Sequence, residues 1–119
     1  MARILLADDE AATRDLVRRA LTADGHDVVT TEDGQEALDR LTGGTELFDL
    51  LLSDVQMPGL DGLSLVEKAL AARPALKVVL MSGHVHGIER AQALQSKIKA
   101  TITKPFTLDQ IRAVVKNAL

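Results

Sequence analysis

The chain has 119 residues, 46% of them hydrophobic and 26% charged, with a formal net charge of −3, which is one domain's length with enough apolar material for a buried core. There is no cysteine, tryptophan or tyrosine, and the two aromatics are Phe48 and Phe106; disulfide scaffolds, thiolate metal sites, thiol catalysis and aromatic base-stacking platforms are thereby excluded. Residues 1–60 carry 5 Lys/Arg against 13 Asp/Glu, whereas residues 61–119 carry 9 against 4, a split that fits either an acidic site and a basic surface or unevenly charged helix faces.

Short apolar runs alternate with amphipathic stretches. The run at 4–7 predicts a first strand, and the stripe of Leu16, Val17, Ala20 and Leu21 a first helix, closed by Asp24 and Gly25. A weaker run at 28–30 predicts the second strand, and Ala37, Leu38 and Leu41 the second helix, closed at Gly43 and Gly44. Leu50, Leu51 and Leu52 form the third strand; Val66, Ala69 and Leu70 mark the third helix, which stops before Pro74. The run at 78–81 is the fourth strand. Ile88, Ala91 and Leu94 give a thin stripe for a fourth helix over 85–95. The run at 100–102 is the fifth strand, and Leu108, Ile111, Val115 and Ala118 face inward from a fifth helix. Three of the five runs are apolar throughout, which is how strands covered on both faces read.

Five β-α units with right-handed crossovers predict an α/β fold: a doubly wound, five-stranded parallel sheet, flavodoxin-like (βα)5, with strand order 2-1-3-4-5, as one domain over 1–119. No window reaches 18 consecutive apolar residues, and the apolar stretch after Arg3 is too short for a signal peptide. A cytoplasmic protein without membrane contact is expected.

In such a sheet, ligands bind outside the carboxyl ends of the strands. There the sequence places Asp8, Asp9 and Glu10 after the first strand and Ser53-Asp54 at the third. Ser82-Gly83 follow the fourth and Lys104-Pro105 the fifth. Taken singly, each has a structural explanation: Asp8 or Asp9 as a helix cap, Ser82 as a turn residue, Lys104 as a solvated lysine. Their convergence on one crevice argues for a site. Clustered carboxylates repel one another and call for a cation, and oxygen-only ligands favour a hard one, magnesium. A phosphoryl group would then find the metal, an ammonium and a hydroxyl around it, and an aspartate can itself be the nucleophile.

The chain resembles the receiver domains of two-component response regulators over essentially its whole length. The matching segments are 4–10 (Ile-Leu-Leu-Ala-Asp-Asp-Glu), 52–62 (Leu-Ser-Asp-Val-Gln-Met-Pro-Gly-Leu-Asp-Gly), 80–83 (Leu-Met-Ser-Gly) and 103–106 (Thr-Lys-Pro-Phe). The resemblance implies that Asp54 accepts a phosphoryl group from a histidine kinase or histidine phosphotransferase. It implies Asp9 as a direct magnesium ligand, Asp8 assisting, Asp54 itself and the backbone carbonyl of Gln56. Ser82 and Lys104 would contact the phosphoryl group, and Asp61-Gly62 would begin the third helix. Beyond self-catalysed phosphoryl transfer and dephosphorylation, no enzyme activity is expected.

The sequence departs from the family pattern at Thr101, where many receivers carry Tyr or Phe as a rotameric switch partner of the hydroxyl at Ser82. A signal without that ring is expected to pass through residues 83–99. The opening residues are also similar to stand-alone cell-cycle receivers of the CpdR type. The family's partner surface is the fourth helix, fifth strand and fifth helix, where Lys97, Lys99, Arg112 and Lys116 fall. A downstream protein partner is expected there, with the chain a monomer or weak dimer and no output domain within it.

Other readings are possible. A small aspartate-nucleophile phosphatase would need a second Asp where Gln56 stands. A flavodoxin-like nucleotide or small-ligand module would need a phosphate loop, and neither G-x-G-x-x-G nor G-x-x-x-x-G-K is present. His84 and His86 form a histidine pair, either metal ligands or plain loop residues. With no basic recognition helix, DNA binding by this chain is not expected.

Overall fold

A computed structural model of the chain describes residues 2–44, 47–83 and 96–119. Its elements in chain order are β1 (Arg3–Ala7), α1 (Ala11–Ala23), β2 (Asp27–Thr31), α2 (Gly34–Thr42), β3 (Leu50–Asp54), α3 (Gly62–Ala72), β4 (Lys77–Ser82), β5 (Ala100–Thr103) and α4 (Leu108–Ala118). The helix expected over 85–95, with Ile88, Ala91 and Leu94, and the pair His84 and His86 lie outside the described residues. The fifth helix of the sequence reading is therefore α4.

The five strands are parallel in the order β2-β1-β3-β4-β5, as expected. Alternation along each strand explains the unbroken apolar runs. Leu5, Ala7, Leu51, Val78 and Leu80 point into a core shared with Ala37 and Leu41 of α2 and Leu65, Val66 and Ala69 of α3. Ile4, Leu6, Leu50, Leu52, Val79, Met81 and Ile102 point the other way, against Val17 and Leu21 of α1 and Ile111, Val115 and Ala118 of α4. The three central strands β1, β3 and β4 are thus covered on both faces and need apolar residues at successive positions, whereas the edge strands β2 and β5 are partly exposed.

The helices meet the sheet along narrow stripes. Val17, Ala20 and Leu21 of α1 are buried, but Leu16 is 47% exposed, against expectation. It stands about a quarter turn from the centre of the stripe at Val17, on the helix flank. Leu108, the first residue of α4, is likewise exposed. Asp33 caps α2 by accepting from the Glu36 N–H at 2.8 Å, and Asp61 caps α3 through the Ser64 N–H at 2.8 Å. Each such cap stabilises by about 1 kcal/mol. Thr107 and Gln110 form a reciprocal capping box at α4. Neither Asp8 nor Asp9 caps α1; Glu10 holds that position without a side-chain cap bond.

Candidate functional site

The strand phase that builds the α1/α4 core continues one step beyond it. Asp8 follows Leu6 by two residues, Asp54 follows Leu52, and Lys104 follows Ile102, so all three side chains leave the sheet on one side. They meet above the core. The Lys104 ammonium donates to Asp54 Oδ2 at 2.9 Å and to Asp8 Oδ2 at 3.1 Å. Asp8 is fully buried and Asp54 is 8% exposed. The second oxygen of each carboxylate is held by backbone: Asp8 Oδ1 accepts from the Glu10 N–H at 2.9 Å, and Asp54 Oδ1 from the Gln56 N–H at 3.2 Å.

Burial pushes the Asp8 carboxyl above the ordinary carboxylate range, and the Glu10 N–H and the Lys104 ammonium oppose this without cancelling it. For Lys104 burial acts downward, but the hydrogen bonds and charges of Asp54 and Asp8 outweigh it and its pKa is raised. The lysine is therefore a firmly protonated cation at neutral pH.

Above these groups opens a cavity of about 440 Å3 whose lining includes Asp9, Glu10, Asp54, Gln56, Gly83 and Lys104. Carboxylate oxygens of Asp8, Asp9 and Asp54 lie within 4.8 Å of one another. Three hard oxygen donors against one ammonium leave negative charge uncompensated, and the open cavity admits water as further ligands. The donor set fits magnesium, which takes one or two carboxylates and retains waters.

Local packing holds the loop in place. The N-terminus of α3 presses so closely on β3 that a Cβ at Gly62 would stand 2.1 Å from the Asp54 carbonyl oxygen. The Lys104 N–H donates to the Ser82 carbonyl at 2.8 Å, tying the end of β5 to the end of β4; the Lys104–Pro105 peptide is cis.

The structure brings together Asp8, Asp9, Asp54 and Lys104, with Gln56 on the cavity wall. Ser82 is buried at the end of β4, and the next residue, Gly83, lines the cavity. Thr101 is exposed on β5, in register with Leu80. Sequence reading missed Arg14, whose guanidinium donates to the Asp8 carbonyl oxygen at 2.8 Å. Helical side chains lean toward the N-terminus, so an arginine in the second turn overhangs the loop before its helix, a signal that was available.

A family model described as the response regulator receiver domain matches residues 4–116. The DNA-binding transcriptional regulator NtrC of Klebsiella pneumoniae is 38% identical over 114 residues, 96% of this chain and 24% of the relative. The transcriptional regulatory protein FixJ of Bradyrhizobium diazoefficiens is 33% identical over 116 residues, 98% of this chain and 56% of the relative. The chain thus spans about a quarter of the one and just over half of the other. Among solved structures, response regulator protein TrrA from Thermotoga maritima in complex with Mg(2+)-BeF superposes with a TM-score of 0.87 at 30% identity, with 100% of both chains covered.

Proposed function

This chain belongs to the response regulator receiver domain family, the phosphorylation-dependent switches of two-component signalling, and from that premise we propose that Asp54 is its phospho-acceptor. An Asp54 carboxylate oxygen attacks the phosphorus of a phosphohistidine on a kinase or phosphotransferase. The O–P bond forms as the P–N bond breaks, and the imidazole leaves with its electron pair. Asp8, Asp9, Asp54 and the Gln56 carbonyl would hold magnesium, which supplies positive charge for the phosphoryl oxygens. Lys104 exchanges its bond to Asp54 for one to a phosphoryl oxygen, and its charge already stands beside the reacting carboxylate before transfer. The Ser82 hydroxyl donates to another phosphoryl oxygen on activation.

The observation that carries this reading is the Lys104 bridge between Asp54 and Asp8 at the floor of the cavity. The output follows as part of the same proposal. With Thr101 in place of a ring, the signal leaves through residues 83–99. It is read by a downstream protein on the face carrying Lys97, Lys99, Arg112 and Lys116. The unit, 1–119, works as a cytoplasmic monomer or weak dimer, with no catalysis beyond its own phosphorylation and dephosphorylation.

The test is incubation with a small phosphodonor and magnesium. Intact mass should rise by one phosphoryl group, and a chelator should prevent the rise. Labelling that persists undiminished in the chelator would contradict the metal role.

A further inference from the structure

We infer that Arg14 is a positioning residue that sets the direction of Asp9 toward the metal. Arg14 lies on α1, with its N–H donating to the Glu10 carbonyl at 2.9 Å. Its side chain folds back over the β1–α1 loop and is 17% exposed. Nη1 donates to the Asp8 carbonyl oxygen at 2.8 Å, and Nη2 lies 3.6 Å from Glu32 Oε1, just beyond β2. On the other side of the same residue, the Asp8 N–H donates to the Thr31 carbonyl at 3.2 Å. Both polar ends of the Asp8 backbone are therefore held.

The peptide joining Asp8 to Asp9 is planar, so fixing the Asp8 carbonyl fixes the Asp9 nitrogen and the departure of its Cα. Asp9 is exposed, and backbone orientation decides where its carboxylate points. The fork of Arg14 spans the loop and the end of the edge strand, a reach that a point-charge ammonium lacks.

A simple charge at this place would act in the opposite direction. A cation beside Asp8, Asp9 and Asp54 repels a divalent ion, so deleting it would tighten magnesium binding. A positioning role predicts the reverse, and the sign separates the two. The inference rests on the magnesium reading above.

The experiment is a magnesium titration of wild type, Arg14→Gln, Arg14→Lys and Glu32→Gln, followed by amide chemical shifts, with hydrogen exchange of the Asp9 and Glu10 amides in the metal-free proteins. Arg14→Gln should weaken binding about tenfold, the scale of losing a group that orients a ligand. It should also speed exchange at both amides without metal. Arg14→Lys keeps the charge and one donor and should show a smaller loss in the same direction; it carries the test if the glutamine variant does not fold. Glu32→Gln removes only the exposed outer partner of the fork and should show a loss smaller than that of Arg14→Gln. Unchanged or tighter binding in Arg14→Gln, or in Arg14→Lys alone, overturns the inference. If wild type shows no magnesium response near Asp8, Asp9 and Asp54, the magnesium reading falls instead, while unchanged exchange in the metal-free variants would still count against Arg14.

Discussion

Lys104 and Asp54 stand 50 residues apart in the chain and 2.9 Å apart in the fold, with Asp8 3.1 Å from the same ammonium. The lysine neutralises part of a buried acidic cluster and waits beside the oxygen that would attack phosphorus. Lys104→Ala should therefore separate two properties. Removing the cation should tighten magnesium binding, while initial phosphorylation should slow about a hundredfold, as for loss of one preorganised donor. Metal titration and the labelling rate of the same preparation measure the two.

Asp8 predicts a stability change of opposite sign to its ligand role. Its carboxyl is raised, chiefly by burial, so the folded state holds the proton more tightly than the unfolded chain. The ionised form costs stability, and that cost appears as pH rises from the unfolded value through the folded one. In metal-free buffer at neutral pH, Asp8→Asn should raise the urea midpoint; with saturating magnesium the order should invert. A midpoint below wild type without metal would contradict this account.

The clamp between α1 and α4 titrates on the acid side. Arg112 Nη2 donates to Asp24 Oδ1 at 2.6 Å and Nε to Oδ2 at 2.9 Å, and this pairing lowers the Asp24 pKa against a smaller upward push from burial. A lowered carboxylate contributes stability above its unfolded value of 3.8 and loses it as pH falls through the folded value. Wild type and Arg112→Gln should differ at neutral pH and converge as pH falls below 3.8 and through the folded value. Urea midpoints across that range test it; a constant gap would show that the pair does not titrate.

Two leucines test the packing. Leu52 is fully buried on β3, and Leu52→Ala should cost about 2–5 kcal/mol. Leu16 is 47% exposed, and Leu16→Ala should stay within about 0.5 kcal/mol of wild type. Denaturant melts distinguish them directly.

The contrast between those leucines also shows what could be read in advance. Leu52 was legible because a strand buried on both faces allows no polar interruption until its end, and the same two-residue phase runs on to Asp54. Asp8 and Lys104 obey that phase at β1 and β5, so the convergent acids and lysine were readable from strand ends alone. Leu16 was misread because helical spacing fixes an angle but not how much of the flank the neighbours cover. Ser82 stands at the expected strand end and is buried there, with Gly83 beside it on the cavity wall. Arg14 escaped because its contact runs through a long side chain folded back over its own helix start.

The central claim is that the phosphoryl group resides on Asp54. Borohydride reduces an acyl phosphate to an alcohol and so marks the modified aspartate permanently as homoserine. After incubation with phosphodonor and magnesium, reduction and proteolysis, peptide mass spectrometry should find homoserine at position 54 and unmodified aspartate at Asp8 and Asp9; in Asp54→Asn no homoserine should form. Homoserine at Asp8 or Asp9 in wild type, or undiminished labelling of Asp54→Asn, would contradict the account.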